Sequence, residues 1–364
     1  MRNICFFDSV KFWGGGEKLH LEYALELKKR NYEITLLSGK DSPLSKIASI
    51  KGFDISQITV KNLSFLNPFK IIRLVRFYKK KNIDTVIFSA SQDLKLGSIS
   101  AKLAGVKNIV YLRGLAVPIK SDLINYIIFK FILTKIVANS EETKRMILQN
   151  LGKYIENEKV KTIYHGIDIQ SSDSNDYQKL DEIVTKGRGV ILGNAGRLTP
   201  QKGQQDLIEV ARRLKENHVE FTLFIAGTGE MKAELESLIE NNDLQEEVIL
   251  LGFVKEMDCF MNSIDIFLQT SISEGFGYVL VEAMIKSKPV VAFNMSSSPE
   301  IVTEDETGFL VKYHDIEMFS QKTQLLIQDE ALRRQFGENG KKSVIKRFNI
   351  SDRITDFELL FSED

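Results

Sequence analysis

Short runs rich in Ile, Val, Leu and Phe recur along the chain, and polar and apolar positions between them fall at helical spacing. In the first half these runs predict strands at 3–7, 33–37, 58–60, 85–88, 108–111, 135–138 and 161–163. Helices are predicted between them near 17–30, 43–51, 68–82, 92–104, 121–133 and 141–150, with Gly105 and Gly152 as helix ends. A second series predicts strands at 189–195, 221–226, 248–251, 266–269, 289–292 and 308–311. Its helices are expected near 203–216, 230–241, 255–262, 279–286, 299–304, 315–328 and 330–346. Strand–helix alternation implies parallel sheets covered by helices on both faces. The polar, turn-rich stretch 171–188 reads as a linker. The expected architecture is therefore α/β, with two doubly wound, Rossmann-like domains facing a central cleft. The tail 351–361 spaces Ile354, Phe357, Leu359 and Leu360 as a helix in need of a partner surface.

Composition narrows the classes. With 43% hydrophobic and 27% charged residues, the chain is neither disordered nor collagen-like. Cys5 and Cys259 lie far apart and read as buried thiols without a disulfide. No secretory leader is read at the start, so a cytoplasmic location is expected. The most apolar stretch, 123–138, is broken by Lys130 and Lys135 and falls short of the roughly 20 apolar residues of a membrane span. It reads either as a core helix or as an amphipathic helix at a membrane face.

The formal charge is zero, from 49 basic and 49 acidic residues. That argues against a general nucleic-acid binder. The zero conceals an asymmetry: residues 1–170 hold 28 Lys+Arg against 15 Asp+Glu, a charge of +13 that the remainder cancels. The cluster Lys70, Arg73, Arg76, Lys79, Lys80 and Lys81 suits an anionic lipid surface or a phosphorylated glycolipid.

Chemistry concentrates in turns between strand and helix. Near the start, Trp13-Gly14-Gly15-Gly16-Glu17 lacks both the G-x-G-x-x-G spacing of a dinucleotide site and the Gly-Lys-Ser/Thr of a P-loop. Its glycines would expose helix N-terminal amides to an anion or a sugar hydroxyl, or simply form a tight turn. In the second half, Arg197 and Lys202 occupy one loop and can clamp a diphosphate, Arg through a planar fork and Lys as a point charge. A second glycine turn begins at Gly227. Backbone at Phe253 and Val254 can face a flat base. Glu274-Gly275-Phe276-Gly277 then opens a helix at Tyr278, whose first amides would meet a phosphate or sugar hydroxyl. Glu274 would accept from sugar hydroxyls. Glu282, set in the apolar run YVLVEAM, would reach a ribose diol, since a buried lone carboxylate is costly.

Arg197 and Lys202, followed by Glu274-Gly275-Phe276-Gly277 and Glu282-Ala283-Met284, resemble the retaining glycosyltransferase family 4. Asn139-Ser140, Gly166-Ile167-Asp168 and Pro299-Glu300 match its usual order, and the similarity covers nearly the whole chain. The first turn and Asp93-Leu94-Lys95-Leu96-Gly97 look like members acting on lipopolysaccharide or other cell-surface glycans. The resemblance implies the two-domain GT-B fold, with an acceptor domain at 1–170, a nucleotide-sugar domain at 189–346 and a segment 347–364 crossing back to the first. It implies Arg197 and Lys202 on the donor diphosphate, Glu282 on the ribose, and Glu274 on the transferred sugar. It also implies Gly15 and Gly16 near phosphate or sugar.

Two positions depart from the family. Ser296-Ser297-Ser298 replaces the usual Gly-Gly and offers hydroxyls to a glycan or a helix cap at Ser298. Arg113 stands where members often carry a His, and would meet the diphosphate, the sugar or a charged acceptor. His165 reads as local structure. The implied reaction takes a sugar from a UDP-, GDP- or ADP-sugar to a glycan or lipid-linked hydroxyl. No Asp-x-Asp signature appears, so no metal and no separate cofactor is expected. An epimerase of the same fold, a glycoside phosphorylase, a non-catalytic sugar-nucleotide binder and an oxidoreductase are the competing readings. Phosphorylases are longer, and oxidoreductases need the absent dinucleotide fingerprint.

Overall fold

The computed structural model describes residues 2–169 and 180–362. Of the expected linker, 171–179 lies outside the described residues, and the rest opens with a short helix, Asp181–Lys186. The chain divides into two compact units, Met1–Gly166 with Ile350–Asp364, and Ile167–Asn349.

Unit 1 is built on seven parallel strands: β1 (Asn3–Asp8), β2 (Glu33–Gly39), β3 (Asp54–Ile58), β4 (Thr85–Phe88), β5 (Asn108–Arg113), β6 (Lys135–Ala138) and β7 (Val160–Thr162). Their order is β3-β2-β1-β4-β5-β6-β7. Side chains alternate across the sheet. Cys5, Phe7, Val86, Phe88 and Tyr111 face one core, and Ile4, Phe6, Ile87, Val110 and Leu112 face the other. Both faces are covered, which explains why the strands read as continuous apolar runs. The second core is closed by the final helix, Ile350–Ser362, which inserts Ile354, Phe357, Leu360 and Phe361. Phe357 meets Tyr23 edge-on at 5.2 Å, and Arg30 donates to Ser351 O at 2.6 Å. Leu359, counted from spacing among the packing residues, is exposed instead.

Unit 2 repeats the plan with β8 (Val190–Ala195), β9 (Phe221–Ala226), β10 (Val248–Gly252), β11 (Ile266–Gln269), β12 (Val290–Phe293) and β13 (Gly308–Val311). The order is β10-β9-β8-β11-β12-β13. In both sheets the order reverses beside the first strand, between β1 and β4 and between β8 and β11. Ligands of open α/β sheets bind at such a switch point, outside the carboxyl ends of the strands.

Three local expectations need correction. β3 spans Asp54–Ile58, not 58–60. It is an edge strand with half-exposed polar residues, so hydropathy points to the β-branched residues just after it. The helix expected over 121–133 is Leu123–Ile127 followed by a wider π-type turn, Ile128–Ile132. Ile128 and Phe129 are buried there, while Leu123, Ile127 and Phe131 stay exposed, so the stretch is half core and half surface. Cys5 is fully buried and Cys259 only half so, and both are free thiols. No helix among the described residues is long and apolar enough to cross a membrane.

Candidate active site

At the carboxyl end of the unit 2 sheet, three loops are laced together through backbone. Gly196 N–H donates to Ala226 O at 2.9 Å, Leu198 N–H to Thr228 O at 2.9 Å, and Gly227 N–H to Gly252 O at 2.7 Å. Gly227 holds φ +150°, and a Cβ there would overlap the carbonyl of Gly196. Its hydrogen side chain is thus what lets the loops after β8 and β9 touch. The β8 loop then turns through Pro200–Lys202. It carries Arg197 outward, exposed and without an ion pair among the described residues.

The loop after β11 meets this one. Ile272 N–H donates to Gln201 O at 2.9 Å and Gln201 Nε2 to Ser273 O at 2.5 Å. Lys202 Nζ pairs with Glu274 Oε1 at 2.5 Å, both side chains mostly enclosed. Ser296 fixes the Glu274 backbone from both sides: its hydroxyl donates to Glu274 O at 2.7 Å and accepts from Glu274 N–H at 3.1 Å. Ser297 donates to the same carbonyl at 3.3 Å and makes no side-chain cap on the helix Ser298–Ile301. Ser296 and Ser297 are therefore loop clamps, and the helix is not capped by a side chain.

Gly277, at φ +81°, provides the left-handed turn into the helix Tyr278–Ile285. The amino end of that helix carries the positive end of the helix dipole, and Leu280 N–H there closes on Gly277 O at 2.9 Å. The Phe276 ring is buried edge-on against Phe348 at 5.3 Å. Gly275 and Tyr278 flank it, half-buried. Glu282 is half-buried, so it is not the enclosed carboxylate that its apolar neighbours suggest. Phe253, which is exposed, and Val254 follow β10, two strands from β8. Arg197, Lys202, Glu274, the 275–278 turn and Glu282 thus gather beside the β8/β11 switch point of one unit.

Gly15, Gly16 and Arg113 belong to the other unit. Gly15 and Gly16 open the helix Gly15–Lys29, and a Cβ at either would meet nothing within 4 Å. Arg113 ends β5 with its guanidinium buried. It donates to Leu115 O (3.1 Å), Ser91 Oγ (3.3 Å), Tyr111 Oη (3.0 Å) and Val117 O (3.2 Å). His165 lies buried 3.2 Å from Glu22.

Sequence reasoning passed over a buried polar cluster at the β1/β4 switch point. Asp93 accepts from Ser9 N–H at 2.7 Å and from the Ser9 hydroxyl. Burial raises its pKa to about 7, although the Ser9 bonds oppose the shift. Asp8 accepts from Ser89 Oγ and from Val10 N–H, each at 3.0 Å. His20 stands 3.7 Å from Asp8, with its pKa lowered by burial. The available signal was an aspartate ending an apolar strand, which burial makes costly unless it is hydrogen-bonded. Among the described residues no group of three His, Cys, Asp or Glu side chains is placed to hold a metal ion.

Two family models divide the chain between them. Glycosyltransferase Family 4 matches residues 13–171, and Glycosyl transferases group 1 matches 176–343. A UDP-Gal:alpha-D-GlcNAc-diphosphoundecaprenol alpha-1,3-galactosyltransferase of Escherichia coli is 24% identical over 95% of this chain and 93% of its own length. The capsular polysaccharide biosynthesis glycosyltransferase CapM of Staphylococcus aureus is 25% identical over 89% of this chain and 88% of its own. Anabaena Alr3699/HepE, solved in complex with UDP and glucose, superposes with a TM-score of 0.86 at 22% identity, covering 100% of both chains. The chain is a GT-B-fold glycosyltransferase related to glycosyltransferase family 4 and to the bacterial transferases of lipopolysaccharide and other cell-surface glycans.

Proposed function

We propose that the enzyme moves a hexose-type sugar from a nucleoside-diphosphate donor to a hydroxyl of a lipid-linked or cell-surface glycan, with retention at the anomeric carbon. The observation that carries this reading is the Lys202–Glu274 pair at the switch point, with Arg197 on the same loop as Lys202 and the helix Tyr278–Ile285 opening just after Glu274. The relatives support the substrate class. The E. coli protein is named for UDP-Gal and a diphosphoundecaprenol-linked acceptor, and HepE binds UDP and glucose.

In this reaction the bond from the anomeric carbon to the diphosphate breaks, and its electron pair leaves on the phosphate oxygen. The acceptor oxygen bonds to the same face, and its proton passes to that leaving oxygen. The transition state gathers negative charge on diphosphate and positive character on the sugar. Arg197 and Lys202 stabilise the first, assisted by the helix amides. Glu274 accepts from sugar hydroxyls, and Glu282 from the ribose diol. Because Lys202 is paired with Glu274, donor binding exchanges one anionic partner for another. The lysine moves to phosphate as the carboxylate turns to sugar.

A peripheral position at the inner face of the cytoplasmic membrane fits the basic helix Pro68–Lys80. Arg73, Arg76, Lys79 and Lys80 have no ion pair among the described residues, and Phe69 and Ile72 are exposed beside them.

The test incubates the protein with UDP-, GDP- and ADP-sugars and lipid-linked glycan acceptors. Acceptor-dependent release of nucleoside diphosphate with a glycosylated product is expected. Release without product, or free monosaccharide without any acceptor, would favour the epimerase reading. Sedimentation with anionic vesicles at low salt tests the membrane part, and absence of binding refutes it.

A further inference from the structure

Between the helix after β4, Ser91–Ala104, and the segment after β5 lies a cavity of about 280 Å³ in unit 1. Three cations line it: Arg113, Lys95 and Lys120. Arg113 is 5% exposed, and all four hydrogen bonds of its guanidinium go to neutral oxygens. A buried cation balanced only by dipoles is costly and favours an anion within reach. Lys95 stands 5.5 Å over the Phe65 ring, and neither it nor Lys120 has a carboxylate partner among the described residues. Asp122 is the one carboxylate lining the cavity, and its oxygens are taken by Asn125 N–H at 2.8 Å and Asn125 Nδ2 at 3.2 Å.

The same segments carry exposed apolar side chains. Leu115, Val117, Leu123 and Ile127 are 56%, 46%, 71% and 42% exposed. A cationic cavity flanked by bare hydrocarbon matches a molecule with an anionic head and an apolar tail. We propose that this cavity receives the phosphate or diphosphate head of a lipid-linked acceptor, with the hydrocarbon chain lying on Leu115, Val117, Leu123 and Ile127. The proposal rests on the transferase reading above and adds to it where the acceptor is held and by which group. Arg113 then serves as an acceptor-binding residue that also holds the loop after β5.

Farnesyl diphosphate, inorganic diphosphate and farnesol are the probes, titrated calorimetrically with UDP in excess so that the diphosphate site of unit 2 does not contribute. Farnesyl diphosphate is expected to bind about tenfold or more tightly than either fragment. Because replacing Arg113 also removes four internal hydrogen bonds, two of them to the loop after β5, Lys95→Gln and Lys120→Gln carry the test. Each should weaken farnesyl diphosphate binding about tenfold and leave farnesol binding unchanged. Leu123→Ser and Ile127→Ser should narrow the gap between farnesyl diphosphate and inorganic diphosphate. Equal binding of inorganic and farnesyl diphosphate, or unchanged binding in both lysine variants, overturns the proposal. Donor turnover onto a soluble glycan separates the two readings. Turnover without any lysine effect removes the cavity and keeps the transferase. Lipid diphosphate binding without turnover onto any acceptor does the reverse.

Discussion

The two sheets reverse order at equivalent places, yet their carboxyl ends are finished in opposite ways. In unit 2 the loops after β8, β9 and β10 are drawn together by backbone bonds, with Gly227 against Gly196, and this end of the sheet carries an exposed Arg197 and the mostly enclosed Lys202–Glu274 pair. In unit 1 the glycine turn is open, and the titratable groups have gone inward: Asp8, Asp93, His20 and Arg113 are all buried. One crest is interlocked backbone presenting ionic side chains, and the other is open backbone over buried, hydrogen-bonded polar groups. Under the proposed function the difference fits a division of labour: a diphosphate has invariant geometry that a preformed platform can fit, whereas acceptors differ and a looser turn accommodates them.

Glycine replacement breaks this comparison hardest. Gly227→Ala should destabilise unit 2 by about 3 kcal/mol or more, because both its φ and its contact with Gly196 exclude a Cβ. Gly15→Ala should stay within about 1 kcal/mol of the parent. Thermal unfolding of the two variants reads the contrast, and similar losses in both would erase it. Next in size, Arg197→Ala or Lys202→Ala should lower kcat/KM roughly 100-fold, with little change in Tm for the exposed Arg197 and a loss of Tm where Glu274 is left unpaired. Unchanged turnover in both variants would remove the diphosphate assignment.

Asp93→Asn sharpens the unit 1 side. The folded pKa of about 7 lies above the ordinary value of 3.8, so the folded protein holds a proton that the unfolded chain releases. The stabilisation from protonated Asp93 is complete below about pH 4 and is lost as pH rises towards 7. Asp8, His20 and Tyr78 face the same region, and His20 acts oppositely, losing its contribution as pH falls below 6.5. The variant should therefore gain Tm relative to the parent between pH 4.5 and pH 8. A constant difference across that range contradicts the buried-acid account. Smallest of all, Ser296→Ala should cost about 1 kcal/mol and lower kcat/KM roughly tenfold by releasing the Glu274 backbone.

Strands buried on both faces were plain in the sequence because nothing polar interrupts them, as at Thr85–Phe88 and Phe221–Ala226. The edge strand Asp54–Ile58 was displaced because its exposed residues carry no such signal. Candidate residues in unit 2 could be named from sequence because loop chemistry there is local: Arg197, Lys202 and the 274–277 turn lie on two short segments. The Lys202–Glu274 pair and the Ser296 clamp depend on which loops the fold juxtaposes, across 72 and 22 residues, and no spacing rule reaches that far. Asp93 and Ser9 are 84 residues apart and were hidden for the same reason.

The final helix has a bearing on how the protein is made. Ile354, Phe357, Leu360 and Phe361 complete a core whose other members come from the first strands and helices. The unit that leaves the ribosome first therefore waits longest for its last piece, while unit 2 can finish around its own sheet. Until residue 361 emerges, Tyr23 and its neighbours lack their cover.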